Sequence, residues 1–94
     1  MFDKMKQVYE MQKKARELQK ALENIRLEKT SKDGLLRVAV NGAQKLESLT
    51  IEPSFLDPAK KDNLERTLSS LINDAFSEVQ KQSAAQMAGL MRGL

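Results

Sequence analysis

Lys6, Lys13 and Lys20 stand seven residues apart, with Arg16 between the last two and Lys14 beside them. On an α-helix seven residues fall just short of two full turns, so the three lysines stack along one face. Arg16 joins that face, and Lys14 lies further round the helix. A ridge of cations suits a polyanion: each phosphate it neutralises releases condensed counterions, and binding weakens steeply with salt. The same spacing supports a blander reading. Asp3, Glu10 and Glu17 precede the three lysines by three residues each. That is the geometry of intrahelical ion pairs worth about 0.2–0.5 kcal/mol each, which serve mainly to keep a helix solvated.

Little else in the chain can do chemistry. There is no cysteine and no histidine. Disulfides, thiolate nucleophiles and cysteine-based metal sites are therefore excluded, as is the usual general base. Asp62 with Glu65, and Asp74 with Glu78, are carboxylate pairs on one helical segment, but two oxygen donors fall short of the coordination number a hard cation needs. Lys61, Arg66 and Lys81 alternate with them, which reads as a solvated face. Ser69, Ser70 and Ser83 have no activating base. Gly34, Gly42, Gly89 and Gly93 are scattered, so no phosphate-cradling loop or dinucleotide fingerprint exists. The aromatics Phe2, Tyr9, Phe55 and Phe76 are dispersed and offer no platform for stacking single-stranded bases. Neither catalysis, a cofactor, a metal nor a small-molecule substrate is expected.

The elements that position the ridge follow from periodicity. From Met5 to Ile25 no Gly or Pro intervenes, and Val8, Met11, Ala15, Leu18, Leu22 and Ile25 recur at alternating intervals of three and four. This predicts an amphipathic helix whose narrow apolar seam packs against another helix, as in a coiled coil. The methionines Met1, Met5, Met11, Met87 and Met91 lie near the two ends and read as packing residues. The pattern then turns to alternation over residues 25–30, a polar edge strand, followed by the turn Thr30–Gly34. Leu36, Val38 and Val40 alternate in a second strand. Asn41-Gly42, the pair that best tolerates positive φ, ends it and starts a hairpin into a third strand from Lys45 to Glu52, stopped by Pro53. Asp57-Pro58 signals a second helix. Its face comprises Leu64, Leu68, Leu71, Ile72, Ala75 and Val79, with Phe76 at the flank, and weakens beyond Ser83. Residues 89–94 carry no periodicity and are expected to fray.

Ninety-four residues, 40% hydrophobic and 31% charged, make one α+β domain spanning 1–94. A chain this short buries a smaller share of its surface than a larger one, so self-association would help it. Net charge is +3, unevenly spread: residues 1–37 hold ten basic and six acidic side chains, residues 38–94 six and seven. The longest uncharged stretch, Gln82 to Met91, falls short of the ~20 apolar residues of a membrane span. The charged N-terminus lacks the apolar core of a signal peptide, so a cytoplasmic setting is expected.

The lysine- and methionine-rich first helix (Met5, Lys6, Met11, Gln12, Lys13, Lys14), the segment Gly34-Leu-Leu-Arg-Val-Ala-Val-Asn-Gly42, the stretch Leu49-Thr-Ile-Glu-Pro-Ser-Phe-Leu56, and Leu64–Val79 with Asn73-Asp-Ala-Phe76 together resemble the YbaB/EbfC family of bacterial nucleoid-associated proteins. The resemblance implies an α-β-β-β-α protomer with a three-stranded antiparallel sheet between two long helices, paired into a tweezer-like homodimer. It implies a cytoplasmic protein of the nucleoid that binds duplex DNA and affects nucleoid organisation and gene expression. The carried-over contacts are the exposed cations of the first helix, Lys6, Lys13, Lys14, Arg16 and Lys20. The alternative from another class is a protein-interaction adaptor whose seam captures a partner helix.

Overall fold

The computed structural model describes residues 2–92, with side chains from Asp3 to Gly89. Helix α1 (Phe2–Asn24) leads into strands β1 (Arg26–Thr30), β2 (Leu36–Asn41) and β3 (Leu46–Ile51). Two short 3-10 turns, Pro53–Phe55 and Pro58–Lys60, then precede the long helix α2 (Lys61–Arg92). The strands form one antiparallel sheet in the order β1-β2-β3. The polar β1 is thus an edge, as its composition predicts, and the apolar β2 takes the centre.

One face of the sheet is apolar because alternate residues of β2 point the same way. Leu36, Val38 and Val40 are buried there, and α2 lies across them with Leu71, Ala75 and Val79. Leu64, Leu68, Ile72 and Phe76 flank the contact, so the helical face read from the sequence is the one that packs. Phe55, held in the first 3-10 turn after Pro53, closes one end of the core at 1% exposure. The opposite face of the sheet is polar: Arg26, Glu28, Thr30 and Arg37 are exposed, and Arg26 bonds Glu28 at 2.7 Å and reaches Glu47 at 3.6 Å.

The connections are fixed by side chains. Ser31 accepts from Leu36 N–H and donates to Asp33, which also accepts from Leu35 N–H, and Gly34 takes the positive φ of +77° that this turn requires. Those hydrogen bonds favour the charged carboxylate, so the Asp33 pKa lies below its ordinary value, first through Ser31 and next through Leu35. Asn41 caps the β2–β3 hairpin: its Oδ1 accepts from Ala43 N–H at 2.9 Å and Lys45 N–H at 3.2 Å. Asp57 accepts from Ala59 N–H at 3.0 Å, as an N-cap should, although the turn it caps is 3-10 and α-helix begins only at Lys61.

Two expectations need correcting, and a third, the helix that the α1 seam packs against, is not met within the protomer. The positive φ in the hairpin falls on Gln44 (+62°), not on Asn41-Gly42. The loop is three residues long, closed by Gln44 N–H to Asn41 C=O at 3.0 Å and Asn41 N–H to Lys45 C=O at 3.0 Å, a geometry that puts its left-handed residue last. The seam of the first helix is bare within the protomer, so the expected partner helix is not α2. Every residue from Asp3 to Lys20 is exposed, and Met5 and Met11 are 75% and 70% exposed, so these methionines pack on nothing within the protomer. Finally, α2 continues through residues 89–92, because a helix end free of Pro needs no apolar period to carry on; the rest of the tail expected to fray, Gly93 and Leu94, lies outside the described residues.

Candidate nucleic-acid interface

Helix α1 is an arm. Among its described side chains only those of the last turn touch the body: Ala21 and Leu22 are half-buried, and Ile25, just beyond its end, is buried in the core. The exposed span from Asp3 to Lys20 is about 27 Å long at 1.5 Å per residue. The molecule is accordingly drawn out to 66 × 24 × 16 Å, with a radius of gyration of 18.7 Å. A compact chain of this length would have roughly 12–13 Å.

The arm has two unlike sides. Lys13, Arg16 and Lys20 line a shallow groove of ≈ 300 Å³ together with Tyr9 and Glu17. Lys6 continues that stripe one heptad outward, whereas Lys14 sits round the helix toward the apolar seam and does not share the groove. Of the five cations singled out from the sequence, three are therefore brought together, one extends their line and one stands apart. The spacing reading passed over Tyr9, which precedes Lys13 by four residues and Arg16 by seven. The same helical geometry that grouped the lysines places its ring among them.

The pairing expected from Asp3, Glu10 and Glu17 does not form. Among the described residues the ion pairs are Arg26–Glu28, Arg26–Glu47, Lys29–Glu78 and Lys61–Glu65, none of them on α1. Exposed long side chains gain little from such contacts in water and lose rotamer freedom by making them. The acids flank the ridge while its cations point free into solvent. On α2 two carboxylates are engaged: Glu65 bonds Lys61 at 2.8 Å, and Glu78 bonds Lys29 at 2.5 Å. The Lys29 pKa is raised, chiefly by its hydrogen bond to Glu78. No three acids converge among the described residues.

A second, polar groove runs between the Thr30–Asp33 turn and the first half of α2, with Lys32, Asn63, Arg66, Ser70 and Asp74 in its walls. Asp33 and Asp74 offset its cations, whereas the α1 groove sets three cations against the single acid Glu17. No helix among the described residues is long and apolar enough to cross a membrane.

Comparison with known proteins gives a consistent result. The model of the YbaB/EbfC DNA-binding family matches residues 1–94. A nucleoid-associated protein of Granulibacter bethesdensis is 34% identical over 90 residues, covering 96% of this chain and 84% of its own. One from Desulforamulus reducens is 36% identical, covering 96% and 86%. Among solved structures, an uncharacterised protein of Helicobacter pylori superposes with a TM-score of 0.67 at 23% identity, over 88% of this chain and 96% of that one, a likeness of fold.

Proposed function

The chain belongs to the YbaB/EbfC DNA-binding family, and we propose that it binds duplex DNA as a homodimer, chiefly through phosphates, with the α1 arm as the contact surface. The family is defined by DNA binding and not by an enzymatic reaction. The observation that carries the reading is the free basic ridge: Lys13, Arg16 and Lys20 share one groove without an ion-pair partner, on a helix that stands clear of the body. Lys6 extends the ridge outward, Lys14 reaches from its margin, and the Tyr9 hydroxyl adds a neutral donor. Lysines act as flexible point charges, and phosphate contacts position a protein without reading sequence, so base preference is weak. The setting is the cytoplasmic nucleoid, in keeping with the named relatives.

The arm's other side argues for pairing. Val8, Met11 and Leu18 are exposed along the seam, and Leu46 and Leu49 of β3 are 42% and 41% exposed at the margin of the sheet that α2 leaves uncovered. A second copy is the occupant that these surfaces suit: the heptad spacing is that of helices that pack on one another, and two copies double the cations available to one duplex. The bare seam also supports a rival reading, a protein-interaction adaptor that captures a foreign helix.

Fluorescence anisotropy of a labelled duplex across a salt series tests the proposal. The expected result is a linear fall of log K with log salt, with a slope that drops by roughly four per dimer when Lys13→Gln and Lys20→Gln are combined, since each change removes a contact from both arms at about 0.9 per phosphate contact. The loss is equal for unrelated sequences. Affinity indifferent to salt would overturn the phosphate mode. An absence of DNA binding, together with a co-purifying partner that Leu18→Asp releases, would establish the adaptor.

A further inference from the structure

We infer that Gly42 is the positioning residue that sets the direction of the α1 arm. Its carrying observation is steric. A Cβ built on Gly42 would stand 2.6 Å from Leu22 O, 2.7 Å from Ser83 Oγ and 3.1 Å from Ile25 Cβ. Gly42 has no positive φ, so glycine is needed here for space and not for backbone freedom. The contact at 2.6 Å is with a main-chain carbonyl in the last turn of α1, which cannot turn aside as a flexible side chain could.

Three elements meet at this point. Gly42 N–H donates to Ile25 C=O at 2.8 Å, tying the hairpin to the residue that follows α1, and Ile25 N–H donates to Leu22 C=O at 3.1 Å. Ser83 of α2 is buried, and its hydroxyl donates to Val79 C=O at 2.7 Å, which holds Oγ against the glycine. Among the described residues of the protomer the arm has no other anchorage than this last turn, so within each subunit the seat of Leu22 on Gly42 sets the angle at which the ridge leaves the body, and a partner packed on the seam receives the arm at that angle. A methyl group at residue 42 must push the helix end away. A tilt of about 10° moves residue 12, roughly 15 Å out along the helix, by roughly 3 Å.

The consequence for DNA rests on the arm reading given above; the junction itself does not. The chain has no cysteine, so paired spin labels can be placed at will. Gln12→Cys with Ser69→Cys reports arm against body, and Ser48→Cys with Ser69→Cys reports the body alone; dilution with unlabelled protein leaves only distances within one protomer. In Gly42→Ala the arm distance is expected to shift by about 2–3 Å while the body distance holds, and adding Ser83→Gly does not restore it because Leu22 O remains. Leu22→Ala, which trims a half-buried anchor without entering the core, is expected to broaden the arm distances and serves as the test should Gly42→Ala fail to fold. Arm distances unchanged in both variants, or arm and body distances shifting together, would overturn the inference. With the arm displaced, duplex affinity should fall roughly tenfold or more as simultaneous engagement is lost. A displaced arm with unaltered affinity would leave the junction standing and remove the ridge from the DNA site.

Discussion

Helices α1 and α2 carry the same kind of apolar period and meet different fates. On α2, Leu71, Ala75 and Val79 close over β2 and are buried. On α1, Val8, Met11 and Leu18 repeat at heptad spacing and stay in water. The difference lies in what the chain supplies opposite each face. The sheet offers α2 a broad apolar surface of Leu36, Val38 and Val40, and its opposite face, the only other one, is polar with Arg26, Glu28 and Arg37. Among the described residues no broad apolar face of the protomer is left for α1. A periodic face states that burial is sought, and does not say whether the partner lies in the same chain.

That contrast can be broken or sharpened by substitution, judged by the stability of the protomer. The largest effect belongs to the body: Phe55→Ala removes a ring that is 1% exposed and should cost about 3–5 kcal/mol in urea unfolding at any protein concentration. Next is Asn41→Ala, which leaves two hairpin amides without their acceptor; a loss of about 1–3 kcal/mol is expected by the same measurement.

Smaller effects follow from two charged groups and appear as pH dependence. The raised pKa of Lys29 means that its contribution is complete below the ordinary lysine value and fades as pH rises through the raised one. The lowered pKa of Asp33 means that its contribution is present above the ordinary aspartate value and fades as pH falls through the lowered one. Thermal melts of Glu78→Gln should lose the alkaline fade, and those of Ser31→Ala should lose most of the acid one.

The smallest change in protomer stability is expected on the arm. Leu18→Asp should leave the far-ultraviolet spectrum of the body intact and shift the mass seen by light scattering from dimer to monomer. A Leu18→Asp protein that unfolds outright would mean that the arm is as integral as α2, and the contrast would fail.

Much of this arrangement is legible in the sequence. Alternation at Leu36, Val38 and Val40 and the 3.6-residue period from Leu64 to Val79 give the central strand and its covering helix because both patterns record burial inside one chain. The ridge is legible for a similar reason, since helix geometry alone stacks Lys6, Lys13 and Lys20. What spacing could not disclose are facts about neighbours remote in sequence. Gly42 reads as a turn residue, yet its role comes from Leu22 and Ser83, twenty and forty-one positions away. Gln44 carries no residue-type signal for a left-handed φ. The free state of the ridge lysines depends on rotamer entropy outweighing weak attraction, a balance that three-residue spacing does not reveal.

The register between β2 and β3 slips by one residue: Ala39 pairs with Ser48 and Val40 with Leu46, which leaves Glu47 without an opposite number. The slip places Leu46 on the side of Leu49 and turns Glu47 toward Arg26, against the strict alternation of a flat strand. Glu47 is therefore a spacer whose loss would leave Leu46, Ser48 and Leu49 on their present sides. Chains one residue shorter at this point are compatible with the same fold, whereas a deletion between Ser48 and Ile51 that closes the same slip would carry Ser48 onto the apolar side, opposite Val38.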